Sequence, residues 1–270
     1  MPKRRTLWLA DLHESSIFGL APPEYTTREG KTIGATPVQK ILDAHWHDLM
    51  EDEDVQSCDS VALVGDMTEG NNYHEFGRKL TTPDLVAQKN LSLQRLRPIC
   101  EGRDVFGISG SKYHRGSPYD SDEAIIRDLG GQYLGNYGYI NIAGCICFLA
   151  HKAGGAKLQQ TRAGALAKNR ALMTLAEHEE LDFPVGLMVY GHWHEYQLIE
   201  STWPKTGELR NIFCCPGFKA TFDWDKTAGT SFAFKTTIGL VVTEIEDGRV
   251  TWVQPKIRTV QGLCPKVHEL

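Results

Sequence analysis

The chain lacks long apolar runs. No stretch approaches the eighteen or so consecutive apolar residues that a membrane span requires. The N-terminus, Met1-Pro2-Lys3-Arg4-Arg5, is basic, but the apolar segment after it is broken by Asp11 and His13, so it is too short and too polar for the core of a signal peptide. The expectation is a soluble, cytoplasmic protein with no membrane partner. An excess of positive charge is also missing: 29 lysines and arginines face 34 acidic residues, a net charge of −5. Gripping nucleic acid by bulk electrostatics needs a basic surface, so that class is disfavoured, although a local basic patch is not. The seven cysteines show no zinc-type spacing; Cys145 and Cys147 share a strand face and Cys214 and Cys215 are adjacent. They read as reduced, buried thiols. Low-complexity tracts and internal repeats are absent, and 41% hydrophobic with 23% charged residues is ordinary globular composition. A chain of 270 residues needs no staples to bury a core and fits one large α/β domain.

What the chain has is a recurring pattern. Val61-Ala62-Leu63-Val64-Gly65 is a short β-rich apolar run ending in Asp66, with Glu69-Gly70 just beyond. It reads as a strand buried on both faces, with the carboxylate at the strand's carboxyl end, where open α/β sheets keep their ligand crevices. The pattern repeats: residues 7–10 lead to Asp11-Leu12-His13, residues 147–150 to His151, and residues 187–191 to His192-Trp193-His194. Two carboxylates and four imidazoles converging at one sheet edge would be a costly charge cluster without a cation. This nitrogen and oxygen donor set suits Mn, Fe, Zn or Co.

In order along the chain, residues 5–10 form the first strand and residues 15–36 a long Gly-, Pro- and Thr-rich loop placed to wall the site. Thr36-Pro37 opens a helix whose apolar stripe is Val38, Ile41, Leu42, His45 and Leu49; His45 and His47 are helix residues rather than ligands. The acidic run Glu51-Asp52-Glu53-Asp54 reads as a frayed helix end or turn. Residues 70–82 form a polar loop that includes Asn71, His74 and Glu75. Thr82-Pro83-Asp84 starts the next helix, and residues 104–109 are a strand. Residues 121–129 form a short helix, 133–142 and 144–150 a hairpin, and 161–180 a helix. The glycine-rich, basic stretch 151–157 lacks Walker spacing and reads as a rim beside the site. After the 183–190 strand come consecutive strands at 199–203, 209–215, 232–244 and 250–257, the last two joined by an Asp247-Gly248 turn. Alternating helices and strands followed by a meander point to two mixed sheets packed face to face with helices outside.

Asp11-x-His13, Gly65-Asp66-x-x-Glu69, His151 and Gly191-His192-x-His194, in that order, resemble the calcineurin-like metallophosphoesterase superfamily. The resemblance implies a four-layer αββα sandwich in a single domain spanning 1–270. The metal-ligand strands and loops would occupy 5–195, and the meander 196–258 would complete the second sheet. It implies two divalent metal ions, manganese first with Fe, Zn or Co as alternatives: Asp11, His13 and His194 on one, His151 and His192 on the other, Asp66 bridging. The family places Gly-Asn-His-[Asp/Glu] after the next strand, whereas this chain has Gly110-Ser111-Lys112-Tyr113-His114-Arg115-Gly116, similar to a Gly-Thr/Ser-x-x-His loop of phage and prophage phosphoesterases. The fourth ligand of the second metal is therefore left among Ser111, Asn71 and water. His114 is the candidate for contacting phosphate or protonating the leaving oxygen. Glu69 reads as orienting the turn or supporting a ligand. Lys112, Arg115, Lys152 and Arg162 are candidate phosphate contacts, and Trp193 and Tyr113 could stack a base or pack as wall.

The function so implied is a dinuclear phosphoesterase using a metal-bridging hydroxide, with phosphodiesters such as DNA, RNA or nucleotides favoured as substrate. A phosphomonoesterase or protein phosphatase is the enzymatic alternative, and a non-catalytic binding scaffold the alternative of another class.

Overall fold

In the computed structural model, residues 3–27, 30–71, 77–115, 119–155, 159–203, 207–220 and 236–260 are described. His74, Glu75, Gly116, Lys157 and the first residues of the expected 232–244 strand lie outside them. Two sheets carry the architecture. The first has six strands, β1 (Arg4–Leu9), β4 (Ser60–Leu63), β5 (Asp104–Gly107), β6 (Gln132–Tyr133), β12 (Thr236–Glu246) and β13 (Arg249–Val260), in the order β13-β12-β1-β4-β5-β6. The second has five, β7 (Tyr137–Ile142), β8 (Cys145–Ala150), β9 (Leu187–Tyr190), β10 (Gln197–Thr202) and β11 (Leu209–Cys214), in the order β10-β11-β9-β8-β7.

Period-two alternation along β1 explains why two sheets stack. Leu7 and Leu9 point one way, into a core with Leu42, Trp46 and Leu49 of α1 (Pro37–Met50), Leu93 and Leu96 of α3 (Leu85–Cys100) and Ile125 and Ile126 of α4 (Ser121–Asp128). Trp8 and Ala10 point the other way, against Leu149, Leu187, Val189 and Phe213 of the second sheet. Trp8 sits edge-on to both Phe106 and Phe213, at 5.9 Å from each, and its indole N–H donates to Thr243 Oγ1 at 2.8 Å. A third core places α5 (Gln159–Glu179) on the outer face of the second sheet through Leu166 and Met173. The result is the four-layer αββα sandwich of mixed sheets that the sequence pattern implies.

Local chemistry sets several boundaries. Thr36 and Gln39 form a reciprocal capping box that starts α1 behind Pro37. Asp247 and Gly248, both at positive φ (49° and 77°), make the tight turn between β12 and β13.

Four expectations need correction. The strands after residue 196 do not all complete the second sheet: β10 and β11 do, but β12 pairs antiparallel with β1 and carries β13 with it into the first sheet. The physical reason is burial, since β12 places Leu240 and Val242 in the helix-side core and Val241 and Ile245 between the sheets. The loop over 15–36 contains a two-stranded hairpin, β2 (Glu24–Thr26) with β3 (Thr32–Gly34). Trp46 rather than His45 lies on the buried stripe of α1. The acidic run starts a short helix, α2 (Glu53–Gln56), capped by Asp52, and Lys256 reaches both Asp52 and Asp54.

Candidate metal centre

The loops after β1 and β4 run on side by side beyond their strands. Asp11 N–H donates to Gly65 O (3.0 Å), His13 N–H to Asp66 O (3.1 Å) and Glu14 N–H to Met67 O (3.0 Å). This extended ladder places Asp11, His13 and Asp66 together although they come from different strands. The second sheet supplies the opposite wall, where Gly191 N–H donates to His151 O at 3.0 Å. His192 N–H crosses between the sheets to Asp11 Oδ2 at 2.8 Å.

Five of these residues adopt the left-handed conformation: Asp11 (φ 54°), His13 (48°), Asp66 (56°), His192 (74°) and His194 (54°). Each costs about 1–2 kcal/mol for a residue with a Cβ. Such strain persists where the surroundings over-determine it, and it gathers at functional sites. Here each kink turns a side chain back over the sheet edge.

Three groups of donor atoms result, each with its atoms within 4.8 Å of one another: Asp11–His13–His194, Asp66–His151–His192, and His13–Glu69–His114. The first two contain the residues that the resemblance implies for two metals, but Asp66, expected to bridge them, groups only with His151 and His192. Asp11 Oδ1 lies at their junction, 3.3 Å from His194 Nε2, 3.6 Å from His13 Nε2 and 3.8 Å from His151 Nε2. It is buried and has no hydrogen-bond partner, and His151 Nε2, only 2.8 Å from Asp66 Oδ2, has no aligned partner either. Buried polar atoms left unpaired are costly. Orphaned nitrogen and oxygen donors converging on one another fit a divalent cation, so the residues present suit the metals implied for them.

The electrostatics follow from burial and proximity. Burial alone would raise the Asp66 carboxyl, but the adjacent His151 imidazole holds it far below the usual carboxylate range. Burial would lower His151, and Asp66 and Asp11 instead push it up to about 10. Burial lowers both His192 and His194, with the neighbouring His151 adding to the effect on His192. Burial and the neighbouring His13 bring His114 down to about 4.

Around the ligand atoms lies a supporting layer. His151 Nδ1 is fixed by Val64 O at 2.7 Å, which directs Nε2 towards Asp66. Glu69 Oε2 lies 2.8 Å from His13 Nδ1, and Glu69 accepts from Lys219 Nζ at 2.7 and 2.8 Å. His114 Nδ1 is 2.7 Å from Glu69 O, and its ring stands edge-on to His13 with centroids 4.5 Å apart. Of the two side chains considered for the missing ligand, Ser111 is on the Asp66 carboxylate: its N–H donates to Oδ1 at 2.7 Å and its hydroxyl lies 3.1–3.2 Å from both oxygens. Asn71 occupies the half-buried turn after Gly70. Gly110 is required by this approach, because a Cβ there would overlap the Asp66 carboxylate and backbone nitrogen.

Two contributors were not singled out from the sequence. Asp122, in the first turn of α4, accepts from the backbone N–H of Asp66 (3.1 Å), Met67 (3.0 Å) and Gly110 (2.8 Å), tying both loops together. Burial and the nearby Asp66 charge push its carboxyl up to about 6. Lys219 follows β11, and the rule that strand tips deliver functional side chains could have found it there. Phe218 N–H is held by Asp11 O at 2.9 Å, which sets Lys219 beside Glu69.

The expected phosphate contacts separate into two kinds. Lys112 and Lys152 are exposed on the rim of a cleft of about 780 Å³ that reaches Ser111, His151 and His192. Arg115 lies on the same cleft but is engaged with Asp120 (3.1 Å) and Asn136 (2.6 Å), and Arg162 with Glu195 (2.5 Å) and Trp193 O (3.3 Å). Trp193 is buried in the outer core under Arg162, so it packs as wall; Tyr113 is half-buried, edge-on to His114.

No protein-family model and no curated protein matches the chain. Solved structures similar to it include a single mutant of Vps29 from Entamoeba histolytica, at 11% identity and TM-score 0.45, covering 95% of this chain and 99% of that one. An archaeal phosphodiesterase shares 8% identity at TM-score 0.43, with the same coverages. A metallophosphoesterase from Sphaerobacter thermophilus shares 11% at TM-score 0.42, over 96% of this chain and 89% of that one. Identities and TM-scores this low do not carry function to this chain, which has to be argued from its own side chains.

Proposed function

We propose that the chain is a metal-dependent phosphoesterase of the calcineurin-like kind, with a dinuclear centre and a preference for phosphodiesters of nucleotides or nucleic acid. The observation that carries this reading is the pair of buried donor groups meeting at the unpaired Asp11 Oδ1. Asp11, His13 and His194 would hold one ion and His151 and His192 the other, with Asp66 shared and Ser111 against it. Because Asp11, His13 and Asp66 come from one sheet and His151, His192 and His194 from the other, the two sheets act as one domain.

When bound, two divalent ions acidify a water towards neutrality and stabilise charge on the phosphoryl oxygens. The chain's own groups do the rest. Glu69 fixes the His13 ring and Val64 O the His151 ring. His114, held largely neutral at pH 7 and with its side chain 13% exposed at the site, can accept or share a proton on a substrate oxygen. Lys112 and Lys152 offer single positive charges at the rim, whereas Arg115 and Arg162 are committed to protein partners. The absence of a free arginine fork among these loop residues favours the monoanionic diester over the dianionic monoester.

The test is Mn²⁺-stimulated hydrolysis of bis-p-nitrophenyl phosphate against p-nitrophenyl phosphate by wild type and Asp66→Asn. Diester cleavage that disappears in the variant is expected. Preference for the monoester would move the assignment to a phosphatase, and no metal-dependent hydrolysis of either would leave a scaffold.

A further inference from the structure

The cleft beside the Asp66–His151–His192 group is larger than a phosphate requires, and its far wall is aromatic. Among the described residues, α5 is the one helix on the outer face of the second sheet, where it packs against β10 and β11. The β7–β8 side of that face is covered less fully among the described residues, with Tyr139 and Phe148 packed at the edge of the same core. Tyr137 and Tyr139 of β7 and Phe148 of β8 project there, with Tyr137 64% exposed. Leu172 and Met173 of α5 form the facing lip, and Leu172 is 52% exposed. The rings are tilted rather than closed on one another: Tyr137 and Phe148 centroids are 6.3 Å apart at 46°, and Tyr139 and Phe148 5.1 Å apart at 48°. Tyr139 also meets Phe183 edge-on (5.3 Å, 74°) and Phe148 meets Tyr190 (6.2 Å, 66°), so the exposed Tyr137 is the ring that offers a face to a planar group.

We propose that this cleft binds the nucleobase of a nucleoside phosphate ester, with the ester phosphate placed over His151 and His192. The inference rests on the phosphoesterase reading above and narrows its substrate. Three observations support it. The volume of about 780 Å³ is within the range of sites that enclose a molecule the size of a nucleotide. Continuity is direct, since Ser111, His151 and His192 line the same cleft as the rings, as do Lys112 and Lys152. Aromatic platforms beside lysines are how proteins hold unpaired bases. The lining also includes Phe148, Leu172 and Met173, so an alkyl phosphate is the competing ligand that the test has to separate from a nucleotide. The chain's net charge of −5 disfavours a long polyanion and so favours a single nucleoside unit or a strand end.

The test is calorimetric titration of the Mn²⁺-loaded protein with AMP, ribose 5-phosphate and decyl phosphate, which share a phosphate and differ in what it carries. Wild type is expected to bind AMP on the order of tenfold tighter than ribose 5-phosphate, and the ratio to fall towards one in Tyr137→Ala and in Tyr139→Ala. Tyr137 is mostly exposed, so its truncation leaves the fold intact. Equal affinity for AMP and ribose 5-phosphate in wild type, a ratio unchanged in both variants, or tighter binding of decyl phosphate than of AMP would each overturn the assignment. Failure of the phosphoesterase reading shows separately, as absence of Mn²⁺-dependent bis-p-nitrophenyl phosphate hydrolysis in the same preparation. Base selectivity can be present or absent in either case.

Discussion

Glu69→Gln probes the layer behind the ligands, where the structure permits a magnitude. The Glu69 carboxylate is 2% exposed and touches His13 Nδ1 at 2.8 Å and Lys219 Nζ at 2.7–2.8 Å. Burial would raise this carboxyl, but His13 and Lys219 hold it at about 2 against an ordinary 4.5. At 1.36 kcal/mol per pH unit, that difference corresponds to about 3 kcal/mol of stability at neutral pH. The glutamine carbonyl still accepts one hydrogen bond and Lys219 can turn to solvent, so the expected loss is about 1.5–3 kcal/mol in urea unfolding of the metal-free protein. The sign with pH is fixed: a depressed carboxyl contributes fully above its unfolded value and loses that contribution as pH falls through the folded one. The stability gap between wild type and Glu69→Gln should close as pH falls from about 4.5 to 2, and should narrow on the alkaline side as His13, which the Glu69 charge holds above its ordinary 6.5, loses its proton. Metal affinity should also fall by about 10–100-fold, because His13 loses the group that orients it. A gap below about 0.5 kcal/mol at pH 7, or one that does not change in acid, would refute the reasoning.

Other perturbations follow from the same geometry. Gly110→Ala forces a Cβ into the Asp66 carboxylate, so it should destabilise the fold by about 1–3 kcal/mol and abolish metal binding measured by calorimetry; near-normal metal affinity would contradict the close approach. In the metal-free protein, the His114 ring protons should show no titration between about pH 6 and 8 by NMR, since burial and His13 hold the ring at about 4. Its contribution to stability is full above 6.5 and fades as pH falls towards 4, and a midpoint near 6.5 would show that the ring is solvated. His151 is held protonated up to about pH 10 by Asp66 and Asp11, so Mn²⁺ binding at about pH 7.5 should release a proton. Calorimetry in buffers of different ionisation enthalpy detects that release, and buffer-independent heats would contradict it.

Much of the site was legible because its signal is local. A strand buried on both faces followed at once by Asp or His is readable in a few residues, and Asp11, His13, Asp66, His151, His192 and His194 all follow such runs. The Thr36–Gln39 capping box and the Asp247-Gly248 turn are local for the same reason. What was missed depends on tertiary placement. Asp122 looks like an ordinary first-turn helix residue, and only the docking of α4 against the Asp66 and Gly110 loops makes its carboxylate their common acceptor. The strand β12 is apolar enough for either sheet, and nothing along it specifies that its partner is β1, more than 200 residues earlier. The aromatic wall of the cleft was invisible because Tyr137, Tyr139 and Phe148 read simply as hairpin residues until the reach of α5 is known.

The central claim is that two buried donor groups hold two ions. Metal content per chain, measured by elemental analysis after Mn²⁺ loading and removal of excess ion, tests it most directly when wild type is compared with His194→Asn and His192→Asn. The account predicts about two ions in wild type and about one in each variant, because each substitution dismantles one donor group. A wild type that retains no ion, or variants that retain the full wild-type content, would contradict it.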